Sequence, residues 1–126
     1  MPRILVSLLF LLILAPVALA QDPVKVDATH YKVEFENDQV RVLRIKVGPK
    51  EKSIMHQHPN AVAIFLTDVN GKFSFPDGKS EAVTSKAGDA RWTPAITHLP
   101  ENLGDQPFEV ILVELKGKPS TMMTKP

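Results

Sequence analysis

The sequence predicts an all-β domain, an antiparallel sandwich or barrel. Two observations carry this. About eight short runs rich in β-branched and aromatic residues recur, with Pro, Gly, Asn or Asp at the joints. Beyond the first twenty residues, no stretch keeps a helical period for ten residues without a Pro or Gly.

Lys32-Val33-Glu34-Phe35-Glu36 alternates polar and apolar, the period of a half-buried strand, and Asn37-Asp38 turns the chain. Gln39 to Val47 is a second run, broken by Gly48-Pro49. Ser53 to His58 is short and ends at Pro59-Asn60. Ala61 to Leu66 is apolar throughout, the pattern of a central strand buried on both faces. Lys72 to Phe75 and Glu81 to Thr84 flank Pro76-Asp77-Gly78, where Pro presets φ and Gly takes the left-handed position of a hairpin. Ala90 to Thr93 stops at Pro94, Thr97-His98-Leu99 follows, and Phe108 to Leu115 is the strongest strand.

The leader is separate from this pattern. Arg3, an apolar run from Ile4 to Leu14, and Ala18-Leu19-Ala20 follow the order of a signal peptide, so residues 1–20 are expected to be cleaved and the protein exported, to the periplasm or beyond. The rest of the 126-residue chain divides into a lead-in over 21–30, a β-domain over 31–116 and a flexible tail over 117–126. Arg3 is the leader's one charge, and the full chain has 15 basic and 14 acidic residues, so the processed chain is balanced. With no basic tract, nucleic acid is not expected as a partner; with no basic amphipathic helix, neither is a membrane after cleavage. Cys is absent. That excludes disulfides, thiol nucleophiles and thiolate ligands, so any bound metal needs N and O donors.

His56 and His58 stand at i and i+2, which in a strand puts both imidazoles on one face. Such a pair is more often solvated or packed in a core than metal-binding. His98 changes the weighing. It lies beyond the hairpin, framed by Gly88, Pro94 and Asn102.

Pro49 to His58 resembles the first motif of the cupin superfamily, in which His-x-His follows a Gly, and a Glu comes four or five residues later. Gly88, Pro94, His98 and Asn102 resemble the second. The opening strand near Glu36 to Val42 and the close from Glu101 to Val110 look similar too, so the resemblance spans residues 31 to 116. It implies an antiparallel jelly-roll (cupin) barrel, with His56, His58 and His98 as the ligands of a divalent transition metal: Fe, Zn, Mn, Ni, Cu or Co. It also implies a homodimer formed through an exposed sheet edge. The chain departs from the pattern at Lys50, where the Gly is due, and at Ile96, which replaces the Gly of Pro-x-Gly. The Glu position falls on Val62 or Ala63, so the carboxylate ligand is missing.

Glu101 and Glu114 are weighed as replacements, and both read more simply as solvated surface acids. Asn102 reads as a loop-fixing hydrogen bonder, His30 as a surface residue. Trp92 and Phe65, Phe73, Phe75 and Phe108 are candidates for core or pocket lining; Trp92, at a strand end beside the site, could contact a ligand, and core packing is the safer reading. Metal occupancy is expected to fall below about pH 6, where imidazole protonates. Two functions stay open: a metal-dependent oxygenase acting on a small molecule, and a non-catalytic domain binding a metal or small ligand.

Overall fold

The computed structural model describes residues 21–117; the leader 1–20 and residues 118–126 of the tail lie outside the described residues. The described residues open with a single helical turn, α1 (Pro23–Val26). Asp22 caps it by accepting the Val24 N–H at 2.9 Å, and Pro23 occupies the first turn, where its missing N–H costs nothing. Nine strands follow: β1 (Tyr31–Glu36), β2 (Val40–Val47), β3 (His56–His58), β4 (Ala61–Phe65), β5 (Val69–Ser74), β6 (Ser80–Ser85), β7 (Ala90–Thr93), β8 (Ile96–Asn102) and β9 (Phe108–Leu115).

They form two antiparallel sheets, ordered β1-β2-β9-β4-β7 and β3-β8-β5-β6, in the jelly-roll arrangement. The β5–β6 hairpin turns through Gly78 at φ 85°, as its sequence predicts. Alternation in β9 sends Phe108, Val110, Leu112 and Glu114 inward. In β2 the same face carries Leu43, Ile45 and Val47, and these apolar residues form the core with Ala61, Ala63, Phe65, Val69 and Tyr31. Asn102 fixes a loop, as expected. Its Nδ2 donates to the carbonyls of Val47 and Gln106, and its Oδ1 accepts from Gly104 N–H.

Three sequence expectations need correction. First, β4 is not buried on both faces. Ala61, Ala63 and Phe65 point inward, but Ile64 and, just beyond the strand, Leu66 are exposed. Second, alternation in β1 breaks. A register shift between Val33 and Phe35 inserts one residue and turns Phe35 to the outside. Third, Trp92 is not core but 58% exposed. It pairs with Val62 on the outer face of β4. Phe35, Val42, Val113, Val62 and Trp92 are consecutive cross-strand partners, so they form one apolar row across the outer face of the five-stranded sheet.

Leu43 is fully buried in this core. Leu43→Ala should lower unfolding free energy by about 2–5 kcal/mol, read by urea denaturation. A loss under about 1 kcal/mol would contradict its place at the centre.

Candidate metal centre

His56 and His58 are the ends of β3, and His98 lies directly opposite His56 in the antiparallel β3–β8 ladder. Side-chain period 2 therefore points all three imidazoles to the interior, and all three are buried. One ring nitrogen from each lies within 4.8 Å of the others. The rings meet edge to face, with centroids 4.6–5.4 Å apart. Among the described residues these three are the cluster with metal-binding geometry.

The hydrogen bonds assign the tautomers. His56 Nδ1 faces the Ile54 carbonyl at 2.6 Å, and a carbonyl can only accept. His58 Nδ1 faces Glu114 Oε1 at 2.7 Å. Burial opposes ionisation of Glu114, but its bonds to His58 and Arg41 outweigh this and lower its pKa, so it too is an acceptor. Both Nδ1 atoms therefore carry the proton. With both rings neutral, the two Nε2 lone pairs face one another at 2.8 Å, a contact that a shared proton or a metal ion relieves. Two acceptors at that distance repel unless a cation lies between or before them. His98 adds a second sign: neither of its ring nitrogens has a partner, although both are buried. Unpartnered lone pairs converging from three neutral rings are the donor set a transition metal takes, so the residues fit the ion.

Burial also suppresses proton competition. It lowers the His56 pKa to about 4, with His58 nearby adding to the effect. It lowers His98 to about 2, helped by His56 and His58. Both rings thus stay neutral, ready to bind metal, further below pH 6 than unperturbed imidazoles would.

Glu114 is not a solvated acid. It is 2% exposed, it orients His58, and Arg41 Nε donates to it at 2.7 Å. Asp22 takes a second bond from Arg41 at 2.7 Å, tying the lead-in to this group. The carboxylate that the first motif lacks as a ligand thus exists one bond further out. Its signal was available: in β9 it is the one charged residue in register with Phe108, Val110 and Leu112. Glu101 instead pairs with Lys72 at 3.3 Å. Of the two residues at the vacant ligand position, Val62 lies in the outer row and Ala63 places a methyl in the cavity wall.

His30 is also not a free surface residue. Its Nδ1 donates to Asp27 at 2.8 Å and its Nε2 to Glu51 at 2.6 Å. Burial works against its charge, but the bonds to Glu51 and Asp27 prevail and raise its pKa. Buried Asp27 also accepts from Ser53 Oγ at 2.7 Å, fixing the segment that leads into β3. Lys50, standing where the motif has Gly, adopts the left-handed φ of 61° that a Gly would take freely, and its Nζ reaches the Leu103 carbonyl.

Beside the imidazoles lies a cavity of about 570 Å³, within the range of small-molecule sites. His58 and His98 line it together with Phe73, whose ring centroid lies 4.3 Å from that of His98.

Comparison with solved structures supports the same architecture. The chain is similar to a cupin domain protein from Bordetella pertussis, at 23% identity over 68% of this chain and 91% of that one, with a TM-score of 0.64. It is similar to a conserved protein with a double-stranded β-helix domain from Klebsiella pneumoniae, at 23% identity over 67% and 74%, TM-score 0.52. It is also similar to a polyketide cyclase from Streptomyces resistomycificus, at 18% identity over 71% and 66%, TM-score 0.52. No family model and no curated protein matches the sequence. The domain has the cupin jelly-roll fold, with a buried three-His cluster that could hold a metal.

Two outcomes follow. Glu114→Gln should weaken Zn affinity by about 10–100-fold, measured by chelator competition on folded protein, because it removes the charged partner of His58. Unchanged affinity would remove Glu114 from the site. In metal-free protein, the stability contributed by keeping His56 and His98 neutral is complete above the unfolded imidazole pKa, near 6.5. It declines as pH falls from there through about 4, the His56 value. His30 runs the other way: its contribution is complete below 6.5 and is lost as pH rises through its raised pKa. Thermal melts of His30→Ala against the parent should show the variant losing most at acidic pH and least at alkaline pH.

Proposed function

We propose that this chain is an exported cupin-fold protein in which His56, His58 and His98 hold a divalent transition metal facing a small-molecule cavity, and that it is a metal-dependent oxygenase. The facing Nε2 lone pairs at 2.8 Å, beside a His98 with no partner, carry the metal assignment. When bound, such an ion supplies Lewis acidity and, if Fe, Mn, Cu or Co, a redox couple for O₂.

The chain's own residues do the rest. Ile54 O and Glu114 hold two imidazoles in the tautomer that exposes Nε2. Three neutral ligands would leave such an ion open to substrate and water, and Ala63 adds an apolar methyl to the cavity wall. Burial raises the Tyr31 pKa, so its phenol remains a neutral neighbour of His56, 4.7 Å between ring centroids. Glu114 is spent on His58 and Arg41 and so is not free as a general base. That favours chemistry driven at the ion over side-chain proton abstraction. The same observation supports a second reading, a non-catalytic metal or ligand binder.

Export rests on the leader's charge, apolar run and Ala18-Leu19-Ala20 site. The apolar outer row ending at Phe35 and Trp92 supports a second copy as partner, in a homodimer.

Untagged protein should carry close to one transition-metal ion per chain by elemental analysis, and His56→Ala and His98→Ala should carry almost none. Equal metal in all three rejects the site. Fe-loaded protein should consume O₂ with at least one of a panel of small apolar substrates. Ligand-induced thermal stabilisation without O₂ uptake or product would instead support the binder.

A further inference from the structure

The cavity is not uniform in character. Its walls between the sheets are apolar, formed by Ile45, Phe73, Val83, Ile96, Val110 and Leu112. His58 and His98 line it as well, and so does Arg91, a half-exposed residue that also borders a second cavity lined by none of the imidazoles. Arg91 pairs with Ala63 in the β4–β7 ladder and so shares the inward face, and its guanidinium lies 5.4 Å from the centre of the Phe65 ring.

Arg91 also marks a seam. β6 and β7 are edge strands of different sheets with no ladder between them. Arg91 Nη2 spans the gap, donating to the Thr84 carbonyl at 2.7 Å. The second, more polar cavity, of about 520 Å³, opens at the same place, and Arg91, Thr84 and Val69 line both. There the Ser85 hydroxyl, in a residue only 7% exposed, has no hydrogen-bond partner. A buried hydroxyl with nothing to bond is costly, and a ligand oxygen would satisfy it.

Four carboxylates line the two cavities with Arg91; Asp68 pairs with Lys86 and Asp105 with Lys50, which leaves Asp89 and Glu81 to weigh. Asp89 stands 3.6 Å from Nη2, beyond good hydrogen-bond length, and already accepts the Lys86 N–H at 2.9 Å. Glu81, on the cavity edge opposite Phe73, is exposed. Neither saturates the guanidinium's five donors, whose planar fork suits a carboxylate.

We propose that Arg91, where the apolar cavity meets the polar one that Ser85 lines, receives the acidic group of the ligand. The molecule taken up is then an apolar acid. Its carboxylate meets Arg91, and its body lies along Phe73 and Val110 in the cavity that His58 and His98 also line. This rests on the reading of the cavity as a ligand site in front of a metal, and it makes Arg91 a specificity-determining residue.

The test compares 3-phenylpropanoate with its neutral isostere 3-phenylpropanamide by calorimetry on Zn-loaded protein. The acid should bind at least tenfold more tightly. Arg91→Gln should erase that preference with Zn content unchanged, and Arg91→Lys should retain part of it. On wild-type protein, independent of any variant's folding, the Arg91 Nε–H resonance should shift with the acid and not with the amide. Equal binding of acid and amide, binding of neither, a static Arg91 resonance, or a preference that survives Arg91→Gln would each overturn the proposal; the last would place the anion on the metal. Repeating the titration after EDTA treatment separates the two readings. An Arg91-dependent preference in protein that takes up no Zn at all supports the Arg91 subsite and removes the metal.

Discussion

The carboxylate of Glu114 is the interaction on which the interior depends. It comes from β9 in the five-stranded sheet and reaches His58 of β3 in the other, while Arg41 of β2 holds its second oxygen. A buried carboxylate costs several kcal/mol in desolvation, which only close charge-assisted bonds offset. Here both oxygens are met at 2.7 Å. Arg41 in turn holds Asp22 at the start of α1. One string of charges thus joins the lead-in, both sheets and the orientation of a candidate metal ligand. Losing one partner would expose the others to the full desolvation cost, so packing and site geometry are energetically the same problem here.

The architecture was largely legible because local chemistry and tertiary structure agree. Pro76-Asp77-Gly78 makes the hairpin it encodes, and the strong alternation of Phe108 to Leu115 becomes the central strand β9. Misreadings arose where only neighbours in space decide. Nothing in Glu34-Phe35 announces a bulge, since the extra residue is defined against β2. Ile64 and Trp92 look like core by composition. They lie outside because β4 buries only one face and β7 is an edge strand with no buried residue, and their outer apolar side chains are neighbours in register.

The three-His cluster was legible in the sequence, and the contacts that orient it were not. Period 2 put His56 and His58 on one face, and the resemblance of Gly88, Pro94, His98 and Asn102 to the second cupin motif added His98. Glu114 lies 56 residues from His58, and only the pairing of β2, β9 and β4 brings it there. His30 was misread for a like reason: its partner Glu51 is 21 residues away, on the loop before β3. The missing motif carboxylate and the buried Glu114 suggest one physical account. Negative charge is placed behind an imidazole, and Ala63 contributes a methyl to the cavity wall where the motif has a carboxylate.

The direct pairing of His56 with His98 has a mechanical side. β3 has three residues and lies at the edge of its sheet, held by its ladder to β8 and by Gln57 N–H on the Gln21 carbonyl at 2.9 Å. In an antiparallel pair, a slip of one residue would turn His56 and His58 outward together. An ion gripped by both strands would tolerate only one alignment. It would act as a rivet through the shortest seam of the barrel, choosing the register of the strand that presents it.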